Sequence, residues 1–165
     1  PKDYDPIGKK SCQIKTISNG FLIQEEDYSN DDLHEKYKVV SKKIPTDKEL
    51  EDLNFAWMVA KYVKSNAIIF AKDCKTLGIG AGQMSRIDST KIASIKSANQ
   101  KIDLKNAVMA SDAFFPFYDN VEKAAELGIS SIIQPGGSQN DNEVIKKVNE
   151  LNLSMVFTGI RHFRH

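Results

Sequence analysis

Apolar residues recur along this chain at two different periods, and the switches between them mark out its elements. Gln13 to Ile17 and Phe21 to Glu25 read as short strands around Ser18-Asn19-Gly20. Asn-Gly between such runs predicts a hairpin, since both residues tolerate positive φ. Asp27 to Glu35 is polar and acidic and reads as a loop, and Lys38 to Lys42 as a further extended piece. Residues 1–45 are thus expected to be partly extended and partly irregular. The period then becomes helical. Thr46 stands three residues before Glu49, the register of a capping box, and Leu50, Leu53, Trp57 and Ala60 follow on one face. Trp57 in that stripe reads as core.

Alternating elements follow. Ala67 to Lys72 predicts a strand, Asp73-Cys74-Lys75 a tight turn, and Thr76 to Ile79 the returning strand. Ser89 to Ala98 predicts a helix with Ile92 and Ile95 on its apolar side, and Ala107 to Ala110 a short strand. Asp119 to Leu127 predicts a helix, with Asp119 and Glu122 in capping-box register and Gly128 as its stop. Ile129 to Ile133 is a strand. Asn140 to Leu151 is a helix faced by Val144, Ile145, Val148 and Leu151, and Leu153 to Phe157 is the last strand. Strands separated by helices of this length favour parallel pairing. The fold expected is α/β, a three-layer sandwich with a mixed sheet.

Composition fits one soluble domain: 165 residues, 41% hydrophobic and 27% charged. The formal net charge of +1 and the lack of a basic patch argue against a nucleic-acid partner. No apolar run approaches a membrane span, and no signal peptide is evident. Cys12 and Cys74 fit no metal or redox spacing, which makes a reduced, cytoplasmic setting the default. The opening Pro-Lys-Asp-Tyr lacks a Met and reads as a fragment or a processed start.

The residues that do not look like scaffold fall in loops after strands. They are Gly78-Ile79-Gly80-Ala81-Gly82-Gln83-Met84-Ser85-Arg86, the Ser111 to Asn120 segment with Phe114, Phe115 and Phe117, Gln134-Pro135-Gly136-Gly137-Ser138-Gln139, and the tail from Thr158 to His165. The predicted topology puts all four at the carboxyl edge of the sheet, where open α/β sheets bind ligands. Asn66 joins them, because its strand runs antiparallel to the next. Gly78, Gly80 and Gly82 resemble a phosphate cradle, yet no Walker spacing follows and a plain turn explains them as well. Arg86 can fork onto an anion or form a salt bridge. The phenylalanines can anchor the core or stack on a flat heterocycle. The three histidines and two cysteines offer no zinc-hydrolase spacing, and no serine nucleophile elbow is present.

Together, Lys61 to Ala67, Gly78 to Arg86, Ala110 to Phe117, Gln134 to Ser138 and Arg161-His162-Phe163-Arg164-His165 resemble the bacterial bifunctional AICAR transformylase/IMP cyclohydrolase family, from about Asn19 to the last residue. The resemblance implies that residues 1–165 are the C-terminal, cytidine-deaminase-like half of a transformylase domain without a zinc site. It implies formyl transfer from 10-formyltetrahydrofolate to the 5-amino group of aminoimidazole carboxamide ribotide (AICAR). It gives Asn66 a part in positioning the formyl group and places Arg86 beside the folate. Phe114 and Asp119 border the pterin, and Ser138 and Gln139 are loop contacts near it. Arg161 reaches the nucleotide phosphate, and Phe163 and His165 close the site. A potassium ion near Val59, Ser65 and Asp112 also follows from the resemblance, as does a homodimer of the full-length protein. The family's Lys-His pair is not in this sequence and is expected in the preceding half of the same polypeptide, so the isolated chain is expected to be inactive. The competing readings are a ligand-binding domain without catalysis, a zinc-free deaminase variant and an interaction module with an aromatic docking loop.

Overall fold

A computed structural model describes residues 12–25, 27, 37–162 and 164. The expected loop from Asp27 to Glu35 lies, apart from Asp27, outside the described residues. Strands β1 (Cys12–Ile17) and β2 (Gly20–Glu25) form an antiparallel hairpin. Its two-residue loop is Ser18-Asn19, and Gly20 already pairs with Ile17. Neither Asn19 nor Gly20 adopts positive φ, so the expected Asn-Gly turn is displaced by one residue.

A six-stranded mixed sheet forms the body, in the order β3-β8-β7-β6-β4-β5. Its strands are β3 (Lys38–Val39), β4 (Ile68–Lys72), β5 (Lys75–Gly80), β6 (Val108–Ser111), β7 (Ser131–Gln134) and β8 (Ser154–Phe157). β6, β7 and β8 are parallel, whereas β4 runs antiparallel to both of its neighbours. The period-2 alternation sends side chains to two cores. Ile68, Phe70, Met109, Ile132 and Met155 face α2 (Arg86–Asn99), α3 (Asp119–Glu126) and α4 (Asp141–Glu150). Ile69, Ala71, Val108, Ala110, Ile133 and Val156 face α1 (Asp47–Tyr62), which supplies Leu53, Ala56, Trp57 and Ala60. The three-layer α/β sandwich is therefore as expected. Among the described residues no helix is long and apolar enough to cross a membrane.

α1 starts as the pattern requires. The Thr46 hydroxyl accepts from Glu49 N–H at 3.2 Å, and the Glu49 carboxylate accepts from Thr46 N–H at 2.8 Å. Replacing the cap, Thr46→Ala, is expected to lower unfolding stability by about 1 kcal/mol in urea titrations. No loss would mean that tertiary packing alone sets the helix start. The β4–β5 turn is two residues, Asp73-Cys74, both at φ 51°, with Cys74 N–H held by the buried Asp52 carboxylate at 2.7 Å.

Two helices differ from expectation, α2 in the face it buries and α3 in its cap, and Leu151, expected on the apolar face of α4, follows that helix and is 39% exposed. α2 buries Ser89, Thr90, Ala93 and Ser97, while Ile95 is 56% exposed. The cause lies in β5. A Cβ added to Gly80 would stand 1.8 Å from Ser89 O, and one added to Gly78 would stand 2.3 Å from Ser97 Oγ. Two glycines against small residues let helix and strand touch backbone to backbone, an approach that excludes isoleucine. α3 has Tyr118 at its N-cap and no side-chain capping bond. The Asp119 carboxylate instead accepts from Asn120 N at 2.8 Å and from Asn120 Nδ2 at 3.0 Å, so no capping box with Glu122 forms. Gly128, at φ 80°, follows the helix as expected.

Candidate functional site

The carboxyl ends of β5, β6, β7 and β8 share one rim of the sheet, and the start of β4 lies beside them. Two connected parts are built there. The first is a buried polar knot. Arg86, at the first position of α2, donates from Nη2 to Asn66 Oδ1 at 2.8 Å and to Asp112 Oδ1 at 2.9 Å, and from Nη1 to Phe114 O at 3.3 Å. Its side chain is 9% exposed and that of Asp112 is 0% exposed, so this is an interior ion pair. Ser65 Oγ donates to Asp112 Oδ2 at 2.5 Å. Ser89 Oγ donates to Asn66 O at 2.7 Å, which ties the close-packed face of α2 to the same residue.

Asn66 is oriented without ambiguity. Its Nδ2 donates to Gln83 O at 2.9 Å and Met84 O at 3.1 Å, while its Oδ1 faces Arg86. A flipped amide would set an NH2 against a guanidinium, so Arg86 fixes which end points where. Backbone bonds secure the surroundings: Asn66 N to Gln83 O, Gly82 N to Lys64 O and Ser65 N to Arg164 O.

The second part is an open cleft of about 410 Å³. Phe114, Pro116 and Phe117 form one wall, and residues 137–140 with Arg161 form the other. Asn140 Nδ2 donates to Pro116 O at 2.7 Å and joins the walls at their base. Gln134, wholly buried at the end of β7, accepts from Phe115 N at 2.9 Å and holds the aromatic loop down. Phe114 belongs to both parts: its carbonyl meets Arg86, and its ring lies 4.6 Å from the Arg161 guanidinium carbon. One chain of contacts therefore runs from Asn66 through Arg86 and Phe114 to Arg161.

The remaining sequence-derived positions divide. Ser138 and Gln139 line the cleft. Asp119 is half-buried, does not line it, and bonds Asn120. Val59 lies half-buried on α1 against the α1-side core, and Ser65 and Asp112 lie in the knot. Phe163 and His165 lie outside the described residues. Gly78 and Gly80 are not a phosphate cradle, because both sit within β5 and open space for α2. Gln134 and His162 fall within segments that the sequence singles out but gives no individual role, and Asn140 reads only as the start of a helix. The one signal for Gln134 was a polar residue closing an apolar strand.

Residues 2–96 match the family described as AICARFT/IMPCHase bienzyme. The "Bifunctional purine biosynthesis protein PurH" of two strains of Xanthomonas campestris pv. campestris is 54% identical over 158 residues, 96% of this chain. The chain spans 30% of the length of these relatives. Among solved structures, a dCMP deaminase from the cyanophage S-TIM5 is similar with TM-score 0.43 and 12% identity, over 68% of this chain and 98% of its own. A diaminohydroxyphosphoribosylaminopyrimidine deaminase/5-amino-6-(5-phosphoribosylamino)uracil reductase from Thermotoga maritima gives TM-score 0.40 and 14% identity, over 66% of this chain and 34% of its own. With more than half of its length matched by the family and the knot and cleft built from the motifs that resemble it, the chain belongs to the AICARFT/IMPCHase bienzyme family.

Proposed function

We propose that this chain forms part of a site that transfers a formyl group from 10-formyltetrahydrofolate to the 5-amino group of AICAR, within a longer polypeptide that also carries IMP cyclohydrolase activity. The observation that carries the reading is the contact chain Asn66–Arg86–Phe114–Arg161, which links a fixed amide to an aromatic cleft with a cation at its mouth. The pterin stacks along the Phe114 wall, with Ser138 and Gln139 facing it, and Asp119, which does not line the cleft, must give up its bonds from Asn120 to reach the ring. Arg161 takes the ribotide phosphate, an anion that its planar fork suits. Phe163 and His165 complete that end.

The accepting amine is a poor nucleophile, since its lone pair is delocalised into the imidazole and carboxamide. Attack on the formyl carbon then depends on orientation, on proton removal and on stabilising the tetrahedral oxyanion. Both Asn66 N–H groups already serve carbonyls. The longer bond, to Met84 O in an exposed segment, is the one that can be lent to the oxyanion. The base comes from a Lys-His pair outside this sequence, in the preceding half of the polypeptide. The same reading places the assembly in the cytoplasm as a homodimer. Ser65 Oγ and Asp112 Oδ2 are oxygen donors of the kind a potassium ion takes, although Arg86 already balances the Asp112 charge. These residues, with a carbonyl near Val59, would hold such an ion and stiffen the knot.

Tetrahydrofolate release, followed by absorbance, tests the proposal. The 165-residue chain alone is expected to show no turnover, whereas a polypeptide that includes the preceding half and the cyclohydrolase domain should be active. In the latter, Asn66→Ala is expected to lower kcat about 100-fold, with smaller changes in KM. Full turnover by the chain alone, or an unchanged kcat in the variant, would overturn it.

A further inference from the structure

His162 stands between Arg161 and Phe163, yet nothing so far gives it a part. Its ring is 2% exposed. One face lies on the Trp57 indole, with centroids 4.2 Å apart and planes at 41°. Nδ1 is 2.5 Å from Asp27 Oδ2. The backbone N–H donates to Asp112 O at 2.9 Å, directly beneath the polar knot. Nε2 is buried and meets no hydrogen-bond partner among the described residues, so the Asp27 contact fixes both the ring's rotation and its proton on Nδ1. Three segments distant in sequence grip this single residue. By contrast Arg161 is exposed, and its guanidinium rests on the Phe114 ring, a contact of modest strength.

We infer that His162 is a positioning residue: the Trp57–His162–Asp27 clamp holds the strand-end strap so that Arg161 stays over the cleft. The clamp acts through the backbone. With the ring seated, Arg161 has one neighbour fixed by Asp112 O, and its own side chain needs little further ordering to meet an anion. The consequence for ribotide rests on the function proposed above, whereas the clamp itself does not.

Trypsin tests the clamp on the chain as it is, because cleavage after Arg161 releases His162 to His165, a loss that mass spectrometry reads directly. His162→Ala and Asp27→Ala are each expected to speed this cleavage about tenfold, the size expected for loss of one hydrogen bond to a charged group. The double variant should fall short of the product of the two single effects, since both remove the same interaction. Asp27→Asn, which keeps an acceptor, should stay close to the parent. A general loss of structure would show in circular dichroism and would not spare Asp27→Asn. Trp57, the one tryptophan, should brighten in His162→Ala as its ring contact is lost. Equal cleavage rates in all five proteins would overturn the clamp. A loosened strap with unchanged ribotide affinity would overturn the positioning of Arg161. If ribotide fails to bind even the longer polypeptide that includes the preceding half, the role of Arg161 in the proposed function falls, and the cleavage rates still decide the clamp.

Discussion

Gly80→Ala should cost this fold about 3 kcal/mol or more in urea unfolding, at the upper end of what overpacking produces. An added Cβ would stand 1.8 Å from Ser89 O, 2.5 Å from Ser89 C and 2.8 Å from Ser89 Cα. All three are backbone atoms of α2, so no rotamer change relieves the clash and the helix must move off β5. Ser89 is also the residue whose hydroxyl bonds Asn66 O, so the displacement passes into the polar knot. Gly82→Ala provides the contrast. Its φ of 67° strains any side chain, but the nearest atoms are flexible carbons of Lys64 at 3.7 and 3.9 Å. That substitution should cost about 1–2 kcal/mol, the penalty for a left-handed residue. A phosphate-cradle role would instead tie all three glycines of the motif to ligand binding with little effect on the free protein. Equal losses at Gly80 and Gly82 would show that close packing does not explain Gly80.

The same glycines mark what a sequence can and cannot reveal. Helices and strands with strong periodic patterns were legible, because burial of one face needs only local spacing. Thr46 and Glu49 announced their box for the same reason. The face of α2 was not legible: Ile92 and Ile95 read as core until Gly78 and Gly80, on another element, required small partners. Asp119 and Glu122 matched a capping pattern, but the Asn120 backbone and amide N–H groups claimed the Asp119 carboxylate. At the site, the rim was deducible from topology, and the motifs carried their resemblance as strings. The partners were not deducible. That Arg86 meets Asp112 inside the protein, or that His162 reaches Asp27 across 135 positions, depends on tertiary contacts that leave no local trace.

Arg86 is the residue whose loss should reach furthest. Arg86→Met is expected to destabilise the chain by about 3–5 kcal/mol, because it leaves the fully buried Asp112 carboxylate without its counter-charge. Ser65 Oγ remains as one donor to that carboxylate, which a single neutral hydrogen bond does not compensate. Arg86→Lys should recover only part of the loss. Three acceptors, Asn66 Oδ1, Asp112 Oδ1 and Phe114 O, are served by a planar fork that a single ammonium cannot reproduce. Pairing Arg86→Met with Asp112→Asn removes the stranded charge, so the double variant should regain more than half of the lost stability in urea titrations. Activity should not return with it. Without Arg86 the Asn66 carbonyl loses its donor and the amide is oriented by its two Nδ2 bonds alone, so kcat for formyl transfer in the longer polypeptide should stay depressed in the restabilised double variant. That separation of fold from turnover is the decisive reading. A double variant that regains both would mean that Arg86 only balances a charge. One that loses the two singles' costs in sum would mean that Arg86 and Asp112 do not act as a pair.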